Sequence, residues 1–140
     1  MSHIPISNCT VFVQLWVDTN ALQNGSERGI YLVDNKVNDA NNHGSTNEGT
    51  TNLSTNVTNH SNICWQVFNI DPNSTTTLSI ASMSNAPVFG ASGQPESVND
   101  NTFTGQVQAV GSSPYQVTLN AEIPGSSGIT ATVSPSLVVY

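Results

Sequence analysis

The sequence predicts an all-β protein: an antiparallel two-sheet β-sandwich of about eight short strands, with a closed barrel as second choice. Three observations carry this. Apolar residues alternate with polar ones at period two in segment after segment. Turn-forming clusters of Gly, Pro, Asn and Asp punctuate the chain every ~8–15 residues. No stretch shows the 3.6-residue apolar periodicity of a helix, and no fixed-period repeat points to a propeller or solenoid.

Thr10 to Val17 opens the series. Val11, Val13, Leu15 and Val17 share one face, and Phe12, Gln14 and Trp16 the other. The aliphatic face belongs in the core. Asp18-Thr19-Asn20 ends this strand and Asn24-Gly25-Ser26 marks a turn. Gly29 to Asp34 is a short, nearly continuous apolar strand. From Asn35 to Asn62 nine of 28 residues are Asn, so the irregular part is placed at 35–49. Residues 51–58 read as a strand burying Leu53, Thr55 and Val57.

In Asn62 to Ile70, Ile63, Trp65 and Val67 point one way and Cys64, Gln66 and Phe68 the other. A mid-strand Trp buries ~200 Å², which places Trp65 at the centre of the core. Asp71-Pro72-Asn73 is a turn, and Thr75 to Met83 a strand with Leu78 and Ile80 inward. Asn85 to Asn101, broken by Pro87, Gly90, Gly93 and Pro95, reads as a long connection with Val88 and Phe89 packed beneath it. Thr102–Val110 and Tyr115–Ile123 predict a hairpin across Gly111–Pro114. A second hairpin loop, Pro124–Gly128, leads to Ile129–Val133, and Leu137–Tyr140 closes the chain.

At 140 residues the chain fits a single domain, 1–140. Only 8% of residues are charged, the net charge is −7, and Asn, Ser and Thr supply 51 residues. Arg28 and Lys36 are the only basic residues, too few to track phosphates or dock on an anionic bilayer. Nucleic acid and membrane are therefore not expected as partners. The N-terminus has neither a basic n-region nor a long apolar h-region, so a cytoplasmic location is expected, with non-classical release compatible with the same sequence. Without that leader, the six Asn-X-Ser/Thr triplets carry no glycosylation argument. Cys9 and Cys64 are expected as buried thiols.

No catalytic signature stands out, and the expectation is no enzyme. His60 and Cys64 are the nearest approach to a nucleophile pair, but on one strand they stand roughly 13 Å apart. A second candidate is the run Asp34-Asn35-Lys36-Val37-Asn38-Asp39-Ala40-Asn41-Asn42. It offers hard oxygen ligands at the irregular end of a strand, where Ca²⁺ is held. Asp34, Asn38 and Asp39, joined by Asp100 from another loop, form the expected metal set. The EF-hand spacing is absent and Lys36 opposes a cation. The third candidate is the outward pair Phe12 and Trp16, an aromatic strip on a domain of low charge, which serves either as a subunit interface or as a ligand platform.

Several stretches resemble the bacterial PixA/AidA inclusion-body protein family. They are the opening strand running into an acid–Thr pair (Val13 to Thr19), the strand Ile30–Val33, the Gly49…Leu53…Val57…Ile63-Cys64-Trp65 pattern and the near-terminal strand Pro135–Val139. The resemblance spans most of the chain. It implies a cytoplasmic β-sandwich of non-catalytic function and brings no catalytic residues with it.

Two readings of function follow. Composition favours a lectin-like module for neutral glycans, assisted by Ca²⁺ or needing no cofactor. Its ligand residues are Asp18, Asn20, Asp34, Asn35, Asn38, Asp39, Asp100 and Trp16, since amides and hydroxyls suit sugar hydroxyls. The family resemblance favours the alternative, a self-associating structural protein with no small-molecule ligand. It uses Phe12, Trp16 and unguarded strand edges as interface. Both readings expect a homo-oligomer.

Overall fold

A computed structural model describes residues 4–36 and 44–140. Eleven strands follow in order: β1 (Val11–Val17), β2 (Ile30–Asp34), β3 (Ser54–Val57), β4 (Asn62–Asn69), β5 (Thr77–Met83), β6 (Glu96–Asn99), β7 (Thr102–Gln106), β8 (Gly111–Pro114), β9 (Val117–Glu122), β10 (Ile129–Val133) and β11 (Ser136–Val139). They form a five-stranded sheet, β2-β1-β4-β7-β6, and two three-stranded sheets, β10-β9-β5 and β3-β11-β8. The all-β expectation holds. The count of eight strands in two sheets does not, and none of the sheets closes into a barrel. Nor is the pairing purely antiparallel: β1 runs parallel to β4, and β3 parallel to β11. Among the described residues no helix is long and apolar enough to cross a membrane.

The parity of β1 is as the alternation predicts. Val13, Leu15 and Val17 are wholly buried, while Phe12, Gln14 and Trp16 are half-buried on the other face. Because β1 and β4 pair in parallel register, Val13 beside Trp65 and Leu15 beside Val67, their odd residues line the same interior. The inner faces of all three sheets meet in one hydrophobic cluster.

Trp65 is fully buried at its centre, packed edge-to-face against Phe89 and Tyr115 with ring centroids 5.8 Å away in both pairs. The Trp65 indole N–H donates to the Tyr115 hydroxyl at 3.0 Å. The buried indole hydrogen thereby has its acceptor. Burial pushes the Tyr115 phenol well above its usual range.

Three predicted elements are corrected, the first being the connection 85–101, in which Glu96–Asn99 form β6 beside β7. The chain breaks at Gln106 instead of running on to Val110. Val107 turns into the core, and the Gln108 and Ala109 amides donate to the Val88 carbonyl. The expected connection 111–114 is itself a strand, β8, paired with β11. So the predicted hairpin of 102–110 with 115–123 does not form; β7 joins β4 and β6, whereas β9 joins β5 and β10.

A short N-terminal arm precedes β1, with one 3-10 turn at Ile6–Asn8. Thr104 Oγ1 donates to the Ile4 carbonyl at 2.7 Å, and Asn62 Nδ2 to the Asn8 carbonyl at 3.1 Å. Thr104 sits beside Cys64, whose side chain points away from the interior. The arm therefore lies across the outer face of β4 and β7 and covers Cys64, leaving it 1% exposed.

Candidate functional site

The outer face of the five-stranded sheet can be read as a grid from the register. One row runs Tyr31–Trp16–Phe68, the next Val33–Gln14–Gln66–Thr102, and a third Phe12–Cys64–Thr104–Glu96. The arm lies on the third row. In the first, Trp16 stacks on Phe68 with centroids 4.9 Å apart and an interplanar angle of 23°. Its indole N–H donates to Gln14 Oε1 at 3.1 Å, which fixes the ring. Tyr31 flanks them at 45% exposure.

Trp16 is thus half-exposed, as expected for the outer face, but its true neighbours are Phe68 and Tyr31 rather than Phe12. Both rings had the right parity in the sequence. What was missing was the β1–β4 register that lines them up. These three rows carry a single charged side chain, Glu96, at their far edge. A shallow depression of about 120 Å³ at Phe12, Gln14, Val33, Asp34 and Asn35 interrupts the grid.

Among the described residues, the members of the expected polar site lie apart. Asp18 and Asn20 lie at the β1–β2 turn, where Asp18 Oδ1 accepts the Asn20 amide at 3.0 Å. Asp34 and Asn35 lie at the other end of β2. Asp100 sits in the β6–β7 turn, on the far side of β1, β4 and β7 from Asp34. At ~4.8 Å per strand spacing, Asp34 and Asp100 stand roughly 14 Å or more apart and cannot share an ion. Asn38 and Asp39 lie outside the described residues.

Of the side chains in view, Asp18, Asp34, Asn35 and Trp16 are already engaged. Asn35 Oδ1 accepts the Phe12 amide and its Nδ2 donates to the Thr10 carbonyl, extending the ladder of β1. Among the described residues, no group of three or more His, Cys, Asp or Glu comes together to hold a metal.

Asp34 pairs with Val13 and so faces inward. Its Oδ1 accepts the Lys36 amide at 2.8 Å and its Oδ2 the Thr55 hydroxyl at 2.7 Å. Glu48 closes over it: Glu48 Oε1 accepts the Asp34 amide at 2.9 Å, while Oε2 is buried and has no hydrogen-bond partner among the described residues. Burial first, then the neighbouring Asp34 carboxylate, push the Glu48 carboxyl up to about 7. Protonated, Oε2 becomes a donor to that carboxylate, which satisfies it. This pair is structural: it pins residues 48–49 against the edge of β2, where the Gly49 amide also donates to the Leu32 carbonyl.

Other edges are guarded in the same way. Thr46 bridges Ser54 on β3, and the Gly25 amide with the Asn24 side chain caps Thr130 on β10. The expectation of unguarded edges is therefore corrected at β2, β3 and β10. Another open concavity, of about 420 Å³, lies between β5 and the β6–β7 turn, lined by Thr77, Ser79, Ser97, Asp100 and Glu122.

A family model described as Domain of unknown function (DUF8788) matches residues 9–128. No curated protein matches the sequence. Among solved structures, an inclusion body protein (PixA) from Burkholderia cenocepacia J2315 is similar in fold. Its TM-score is 0.72 at 13% identity, over 98% of this chain and 100% of that one. The likeness to PixA-type proteins read from the sequence therefore holds at the level of the fold. The lectin reading, with neutral glycans as partners and calcium assisting, is overturned. Asp34 and Asp100 lie on opposite sides of the large sheet, and a solved structure that shares this fold is that of an inclusion body protein.

Proposed function

The chain belongs to the family described as Domain of unknown function (DUF8788), and from that premise we propose that it is a self-associating structural protein of the inclusion-body type, without catalysis and without a small-molecule ligand. The observation that carries this is the half-exposed row Tyr31–Trp16–Phe68 on a sheet face that is almost free of charge. Such a face has no electrostatic reason to stay apart from its own copy, and stacked rings supply apolar area at low entropic cost. The name of the structural relative points the same way.

Face-to-face contact is favoured over edge pairing, because the edges of β2, β3 and β10 are capped. β6 follows Pro95 and begins with Glu96, both of which discourage edge pairing. The opposing surface is a second copy in two-fold symmetry, so that each ring row meets the other.

Three half-exposed rings contribute about 300 Å² per partner, against roughly 800 Å² per partner in a stable complex. Even with Val33, Gln14 and Gln66 at the rim, one such contact is weak, and assembly depends on concentration.

Sedimentation velocity from about 1 μM to about 1 mM tests this. The wild type is expected to gain mass with concentration. Tyr31→Lys puts two like charges across the symmetric contact at an exposed position, and is expected to move the transition at least about tenfold higher. A wild type that stays monomeric throughout, or a Tyr31→Lys protein that associates unchanged, refutes the proposal.

A further inference from the structure

Cys9 and Cys64 are both free and both buried, 8% and 1% exposed. They come from segments with different freedom. Cys64 belongs to β4, the middle strand of the large sheet. Cys9 ends the N-terminal arm, its thiol directed at the Pro5 carbonyl at 3.8 Å. The residues on either side of Cys9 are both held by Asn62, through the Asn62 side chain to the Asn8 carbonyl and the Thr10 amide to the Asn62 carbonyl, which sets the end of the arm beside Cys64 two residues further along β4. Burial is the main reason both hold their protons tightly, and the nearby Cys9 adds to it at Cys64, pushed up to about 12. With the arm in place both sulfurs are unreactive. Yet the arm is short and is tied down by the hydrogen bonds at Ile4, Asn8 and Thr10, the kind of segment that opens locally without global unfolding.

We propose that Cys9 and Cys64 are an oxidisable dithiol, whose disulfide staples the N-terminal arm to the central strand. The oxidant is a low-molecular-weight disulfide such as oxidised glutathione. When the arm lifts, the Cys9 thiol loses its proton and attacks one glutathione sulfur. A mixed disulfide forms and one glutathione thiolate leaves. Cys64, uncovered while the arm is lifted, loses its proton, and its thiolate attacks the Cys9 sulfur and displaces the second glutathione before the arm settles back. One protein S–S bond is made and one glutathione S–S bond is broken. The two protein protons and two electrons end on two glutathione thiols. The bridge then closes the long loop that holds β1, β2 and β3, which restricts the unfolded chain more than the folded one.

The test uses the whole native protein in a buffer of excess oxidised over reduced glutathione. The intact mass is expected to fall by two hydrogens with no retained glutathione, and peptide mapping to join the Cys9 and Cys64 peptides. The bridged protein is expected to melt about 5–10 °C above the reduced one, and Cys9→Ser to show no such rise. Four results overturn the proposal: two thiols still alkylatable after unfolding, a stable glutathione adduct as end product, a disulfide-linked dimer, or a bridged protein that melts lower than the reduced one. The wild-type measurement stands alone if Cys9→Ser fails to fold.

Discussion

Replacing Tyr115 by Phe deletes one oxygen and keeps the ring. The substituted ring would still meet Trp65 and Phe89 edge-to-face, since the centroid spacings of 5.8 and 6.2 Å are set by ring packing. What is lost is the acceptor of the Trp65 indole N–H, in a site where Trp65 is 0% and Tyr115 2% exposed. The vacated space, one hydroxyl in size, falls at or below the ~10–15 Å³ that a water requires, so solvent cannot take over. A buried donor left unsatisfied costs about 1–3 kcal/mol. Taking about 2 kcal/mol, a domain of this length melts roughly 6–8 °C lower. Urea unfolding followed by tryptophan fluorescence reads the same quantity. Trp65→Phe removes the donor instead, and the double variant removes both. Once one partner is gone the second loss is smaller, so the double variant is expected to be less destabilised than the sum by about 1–2 kcal/mol. A Tyr115→Phe protein melting within about 1 °C of wild type, or strictly additive variants, refutes the central role given to this hydrogen bond.

Gly93→Ala is expected to destabilise by about 3 kcal/mol or more, because its methyl would run into the backbone carbonyls of Phe89 and Gln106, which cannot swing aside. Equilibrium unfolding within about 1 kcal/mol of wild type would show the close approach to be wrong. Glu48 sets a pH dependence. Its carboxyl goes from 4.5 up to about 7 on folding, so the folded state holds the proton more tightly. Its contribution is complete below about 4.5 and is lost as pH rises through about 7. Melting temperatures of wild type and Glu48→Gln, compared from about pH 5 to about pH 8, should show the wild type declining more steeply; parallel curves would remove Glu48 as the cause.

Local signals in the sequence carried the fold a long way. Period-two alternation placed Val11 to Val17 and Ile63 to Val67 correctly inward, because those segments have one dry face and a slip of one residue would bury Gln14 or Gln66. Val88 and Phe89 were found beneath their connection, as their size in a Gly- and Pro-broken segment implies. Non-local pairing was not legible. Nothing in Gly111-Ser112-Ser113-Pro114 signals a strand, since its pairing is imposed by Leu137 and Val139 lying alongside. The parallel β1–β4 match is likewise a tertiary choice, and it is what sets Phe68 beside Trp16 in the ring row and leaves Phe12 in a separate row. Two of the polar candidates, Asn35 and Asp34, serve the backbone of their own neighbours, which composition cannot reveal.

The parallel pairing of β1 with β4 also governs how the chain acquires its shape in time. Its partners are separated by about fifty residues, and β3 and β11 are further apart still. Contacts at that separation are made late and fold on the order of milliseconds to seconds. During synthesis at roughly 5–20 residues per second, β1 leaves the ribosome several seconds before its companion. For that interval Val11 to Val17, as aliphatic a strand as the protein has, is exposed in every nascent copy, and expression rate is thereby coupled to the fraction of chains that meet one another before they meet their own β4.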